Sequence, residues 1–167
     1  MHVFGVDGFP PKFFLCYWDH IGINVIEALQ YMFTLGDMPY QWNAGLIFFI
    51  PKLEGVVVDI KKWCSITILN TIYKIYAKIL SLHMQPLSNY IIHKSQTSFI
   101  QEHTIFYNIF MFWELTTLAK EKDVDLVVQL LNYGKAYDRV DWSFLEEVML
   151  RLGFPMAQVV AIRDLCI

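Results

Sequence analysis

The sequence predicts a mixed α/β fold of the α+β kind, with long helices gathered around short antiparallel strands. Two observations carry this. Apolar residues recur every three or four positions through several long stretches, which is the helical period. Between them lie short uncharged runs rich in β-branched and aromatic residues, bounded by proline, glycine or polar loops, which is the signature of strands. With 167 residues, 56% hydrophobic and 17% charged, the chain can build a real core, and disorder is excluded.

Taken in order, Pro10 and Pro11 open the first helix, since proline is tolerated where the first-turn N–H has no partner. Phe14, Tyr17, Trp18, Ile21, Val25, Ala28, Leu29 and Met32 then step by three and four residues, and Gly36 closes the helix. Gly45 to Ile50 is short and apolar and ends at Pro51, so a buried strand is expected. A second strand, Ile66 to Leu69, pairs with it across the polar loop 52–62. Asn70 or Thr71 caps the next helix, in which Ile72, Ile75, Tyr76, Ile79, Leu80 and His83 keep helical spacing. Pro86 is expected to end or kink it.

Residues 104 to 121 are apolar nearly all round, which predicts a helix buried on most sides. Strand 125–131 follows. Ser143-Phe144-Leu145-Glu146 has the Ser-x-x-Glu capping-box pattern ahead of Leu145, Val148, Met149 and Leu152, and Gly153 with Pro155 closes that helix and opens the last.

Several function classes are excluded by composition. The longest uncharged stretches, Met38 to Pro51 and Ile79 to His93, fall short of the roughly 18 apolar residues of a membrane span, and both contain proline. No membrane partner is expected. The N-terminus lacks the basic start and apolar segment of a signal peptide, so the expected location is intracellular, in nucleus or cytoplasm. Cys16, Cys64 and Cys166 form no CxxC pair, and the five histidines show no HxxxH or HExxH spacing, so no zinc site or disulfide framework is expected. Net charge is −3, the wrong sign for affinity founded on phosphates. Residues 51 to 94, however, hold six lysines against Glu54 and Asp59, a basic middle between acidic flanks.

Five segments, in order, resemble one family. Asp7-Gly8-Phe9-Pro10 is similar to a Pro-Gly-x-Asp-Gly-Phe-Pro opening. Leu46 to Lys52 resembles an "LIxxIPK" strand. Trp63 to Leu80 follows "WRPITLLNTIYKIYAKIL", and Ser95 to Ile105 resembles "SQTGFVQGRSI". The fifth, Leu131 to Trp142, resembles an apolar strand followed by Asp, two variable residues and Lys-Ala-Tyr/Phe-Asp. All five belong to the reverse transcriptases of plant LINE-type, non-LTR retrotransposons.

The resemblance implies a fragment of a right-hand polymerase: fingers-like helices and strands over about residues 1–122, then the first strand and helix of a palm over 123–167. It implies RNA-directed DNA synthesis by descent, with RNA, DNA and deoxynucleotides as partners. In intact members two Mg²⁺ ions are held by carboxylates. The first of these falls at Asn132, whose neutral amide cannot bridge two cations, and the later Tyr-x-Asp-Asp hairpin has no counterpart in these residues. No cofactor is therefore expected, no catalytic residue is intact, and nucleic-acid and nucleotide binding should be weak or absent. Asp138 is not a metal ligand in the family, and Asp141 is expected to cap a helix.

By the same resemblance Lys52 and the turn Gly134-Lys135-Ala136 would face nucleotide phosphates, and Tyr137 stands at the steric-gate position against a ribose 2′-OH. Cys64 replaces a fingers Arg and so removes a bidentate, permanently charged fork. Lys61 and Lys62 remain as nucleic-acid contacts. Glu102-His103 replaces Gly-Arg, and Ser98 replaces another Gly. Two rivals stand beside an inactive polymerase fragment: a non-catalytic nucleic-acid-binding remnant using 51–94, and an inert or interacting product of a decayed reading frame, self-associating through uncovered palm faces.

Overall fold

The computed structural model describes residues 5–52, 59–131, 133 and 139–165. Six helices and one two-stranded sheet occur among them: α1 (Pro11–Leu35), α2 (Tyr40–Asn43), β1 (Gly45–Pro51), β2 (Trp63–Leu69), α3 (Thr71–Ile91), α4 (Ile105–Glu121), α5 (Trp142–Arg151) and α6 (Met156–Leu165), with a 3-10 turn at Ile60–Lys62. The fold is α+β, as the periodicities require. The chain divides into two compact units: residues 1–80 with 149–167, and residues 81–148.

The first unit holds the core. Leu29 and Met32 of α1, Ile72, Tyr76 and Leu80 of α3 and Ala161 of α6 are buried together. The four-residue steps on α3 bring its three side chains onto one stripe, each contributing about 1.5–3 kcal/mol on burial. At the end of α1, Gly36 takes the left-handed conformation (φ 65°) and its N–H bonds the Met32 carbonyl, a stop that costs glycine no steric penalty.

Asn70 is fully buried. Its carbonyl accepts the Lys74 N–H of α3 at 3.2 Å, so its backbone holds the N-cap position. Its side chain acts elsewhere: Oδ1 accepts the Asp7 N–H at 3.2 Å and Nδ2 donates to the Gln41 carbonyl at 2.6 Å. Thr71 Oγ1 donates to the Phe9 carbonyl at 2.8 Å. Two adjacent polar residues thus tie the N-terminal turn and α2 to the start of α3. In the first turn of α3, the Tyr73 hydroxyl donates to the Leu165 carbonyl at 2.6 Å.

The strands pair antiparallel in the expected order, Leu46 opposite Ile68 and Ile50 opposite Cys64. Their burial is not as expected. Every residue of β1 is exposed, because a two-stranded ribbon has no second layer of its own to cover either face.

In the second unit, α4 begins after Thr104 and ends at Glu121 as the spacing predicts, yet none of its residues is buried. Phe106, Phe110 and Trp113 are 63%, 57% and 65% exposed. All-round apolarity reports what a helix needs for cover, and nothing among the described residues supplies it. Helix α3 runs through Pro86 to Ile91 rather than breaking there, so the proline removes one N–H without ending the helix. The strand expected at 125–131 is not formed: residues 124–131 carry no regular structure and are exposed throughout. A strand exists only against a partner that takes its hydrogen bonds, and the only sheet among the described residues pairs β1 with β2.

Helix α5 is capped by Asp141, whose Oδ1 accepts the Phe144 N–H at 2.9 Å. Asp141 capping is as expected, and the Ser143 capping box is corrected: Ser143 lies inside the helix. A carboxylate at this position also complements the positive end of the helix dipole. The helix closes with Gly153 N–H bonding the Leu150 carbonyl and Phe154 N–H the Met149 carbonyl, the paired bonds of a Schellman stop. Pro155 then opens α6.

Candidate functional site

The fingers-side residues of the expected site sit on the β1–β2 ribbon. Its open end is fastened by the Lys52 N–H donating to the Lys62 carbonyl at 2.8 Å, which sets Lys52 and Lys62 beside each other where the strands part. Both side chains are exposed. Cys64 is an exposed free thiol opposite Ile50 in the register. A guanidinium at this place would have joined the two lysines in one cationic edge; the thiol offers no charge and only a weak donor. For Lys61 the 3-10 turn is described and the side chain is not.

The palm-side residues Asn132, Gly134, Lys135, Ala136 and Tyr137 lie outside the described residues, as do Asp138 and Cys166. Of their neighbours, Tyr133 is 75% and Leu130 92% exposed. The ribbon lysines belong to the first compact unit and residues 124–133 to the second. Among the described residues no group of three or more His, Cys, Asp or Glu side chains is placed to hold a metal ion, and no helix is long and apolar enough to cross a membrane.

The loop 92–104 is braced by side chains. The His103 ring nitrogen Nδ1 pairs with the Gln96 carbonyl at 2.6 Å, and Asn108 Nδ2 donates to the Ser95 carbonyl at 3.0 Å and to Thr97 Oγ1 at 3.3 Å. Glu102 has φ 67° and Phe99 φ 66°, in the region that favours glycine. Glu102 stands where the resemblance has Gly, the residue that this backbone conformation favours. Ser98, the other replaced Gly, has no positive φ; the strain falls on the residue after it. Glu102→Gly is expected to stabilise the chain by about 0.5–1 kcal/mol, the relief of a left-handed side chain less the added freedom of the unfolded chain, read as a raised urea midpoint.

One electrostatic feature escaped the sequence. Asp164 of α6 has its pKa raised above the usual carboxylate value, first by burial and then by the nearby Asp37, against the lowering effect of Arg163. The Tyr76 hydroxyl is pushed up by burial and by Asp164. No local pattern could announce this, because the groups come from α3, α6 and the segment just after α1.

These observations define an α+β chain whose ribbon carries a small basic edge. No protein-family profile matches it. The chain is similar to the Transposon TX1 uncharacterized 149 kDa protein of Xenopus laevis, with 33% identity over 141 residues, 84% of this chain and 11% of that protein. The chain therefore spans about a ninth of the length of the curated relative it matches.

Proposed function

We propose that this chain derives from a LINE-type retrotransposon and represents the fingers and first palm segment of its reverse transcriptase domain, without polymerase activity as it stands. The observation that carries the descent is the order of five motif-like segments from Asp7 to Trp142, within a chain that is 33% identical to a transposon protein over 141 residues. The antiparallel pairing of the "LIxxIPK" segment with Trp63–Leu69 and the left-handed backbone at Glu102 support the same reading. Inactivity follows from chemistry. Two-metal phosphoryl transfer needs anionic ligands that bridge both cations and offset their charge, and Asn132 supplies a single neutral carbonyl oxygen.

Primer extension on an RNA template with Mg²⁺ and deoxynucleotides tests this. No incorporation is expected from the purified chain, nor from Asn132→Asp, because one restored carboxylate leaves the other ligands missing. Templated incorporation by the unaltered chain would overturn the inactivity. Reading the coding sequence past Ile167 separates two origins: an in-frame Tyr-x-Asp-Asp box would mark a truncated record, and a stop codon would support decay. The pairing of Lys52 with Lys62 at the ribbon's end gives the nucleic-acid-binding remnant its best support. In the same preparation, RNA retention that falls steeply with salt would favour that remnant.

A further inference from the structure

The first compact unit contains a cleft of about 370 Å³ whose chemistry is unlike that of a phosphate or nucleic-acid site. Phe9 from the N-terminal turn, Phe14 from α1 and Trp42 from α2 give it three aromatic walls, and Ile72 of α3 lies among its buried lining. Asp7, Asn24 and Gln41 supply its polar groups. The Asp7 carboxylate is held in place, since its Oδ1 accepts the Phe9 N–H at 3.1 Å while its own N–H is taken by the buried Asn70. The cleft is therefore built from four separate segments, three of which, the N-terminal turn, α2 and α3, are joined by the Asn70 and Thr71 hydrogen bonds.

Charge decides what it suits. None of the described lining residues is Lys, Arg or His. Residues 1–50, which supply every wall except Ile72, carry Asp7, Asp19, Glu27 and Asp37 against Lys12 alone. An anion entering the cleft meets like charge and no counter-ion. A cation meets an acidic residue and three aromatic residues in the lining, the two kinds of group that attract an alkylated ammonium without demanding that it be fully hydrated. A volume near 370 Å³ lies within the range of small-molecule pockets, about 300–1,000 Å³.

We propose that this cleft is a binding site for a small free organic cation of the alkylammonium class, with Asp7 as counter-charge and Phe9, Phe14 and Trp42 as the aromatic walls. The proposal does not depend on the reverse-transcriptase reading.

The test is a titration of the full chain with choline, followed by heteronuclear correlation NMR, with 3,3-dimethyl-1-butanol as a neutral mimic of nearly the same shape. Choline is expected to move the Trp42 indole and Asn24 side-chain signals saturably, with half-saturation in the millimolar range. The alcohol should need about tenfold more. Asn24→Lys, at an exposed position of α1 on the cleft rim, is expected to weaken choline about fivefold or more while leaving the alcohol's effect and the circular dichroism unchanged. If that variant disturbs the helix signal, Asp7→Asn replaces it, with the same expected loss. Equal response to choline and the alcohol, no saturable response to choline, or unchanged choline affinity in the charge variant overturns the proposal.

Discussion

Replacing Asn70 by Ala is expected to cost about 2–4 kcal/mol of stability, the largest loss from a polar truncation in this chain. The side chain is 0% exposed and satisfies one donor and one acceptor from two distant segments, Asp7 and Gln41. Removing it leaves both groups facing an apolar surface, and each unsatisfied buried partner costs about 1–3 kcal/mol. The outer flanks of Asp7 and Gln41 are exposed, so water recovers part of the loss and the sum stays below the full penalty. Asn70→Asp separates hydrogen bonding from volume: it keeps the shape and the acceptor for Asp7, but sets a buried charge against the Gln41 carbonyl. It should be at least as damaging as Ala. Urea unfolding followed by circular dichroism reads both, and a loss under about 1 kcal/mol in each would show that the site is hydrated rather than sealed.

Gly36→Ala is expected to cost about 2–4 kcal/mol, for two separable reasons. At φ 65° any Cβ strains the backbone by about 1–2 kcal/mol. The same Cβ would lie 2.4 Å from Val160 Cγ1 of α6, an overlap that must be relieved by moving α6 or the valine, typically for about 1–3 kcal/mol. Val160→Ala in the same chain should recover the overlap and leave the backbone strain. A double-mutant cycle is therefore expected to show a coupling of about 1 kcal/mol or more, and strict additivity would mean that α1 and α6 do not meet at Gly36.

Legibility in the sequence follows the range of the signal. Helices α1 and α4 and the β1–β2 pairing were readable because period, proline and glycine act within a few residues. Asp141 was readable as a cap because its carboxylate reaches only three residues on. Burial was not, since it depends on what lies opposite: β1 and α4 have the composition of buried elements and are exposed. Strand 125–131 failed for the same reason, as its hydrogen bonds need a neighbour that its own residues cannot announce. Of the two outcomes expected of Pro86, an end or a kink, the end does not occur, because one missing N–H is tolerated where the rest of the helix holds. Of the expected site, the ribbon residues Lys52, Lys62 and Cys64 are located by the fold, while the segment that bears Asn132 lies outside the described residues. The cleft at Asp7 and Trp42 gave no signal in the sequence because its walls are far apart along the chain.

The bare α4 has a cellular corollary. Chaperones and degradation systems read stretches of greasy side chain held open to water, and they act on the fraction of molecules that shows them. For a product translated alone, Phe106 through Trp113 would be displayed in the finished state as well as during synthesis, so the polypeptide would be a standing client of quality control. Faster clearance would then lower its abundance at any given rate of synthesis.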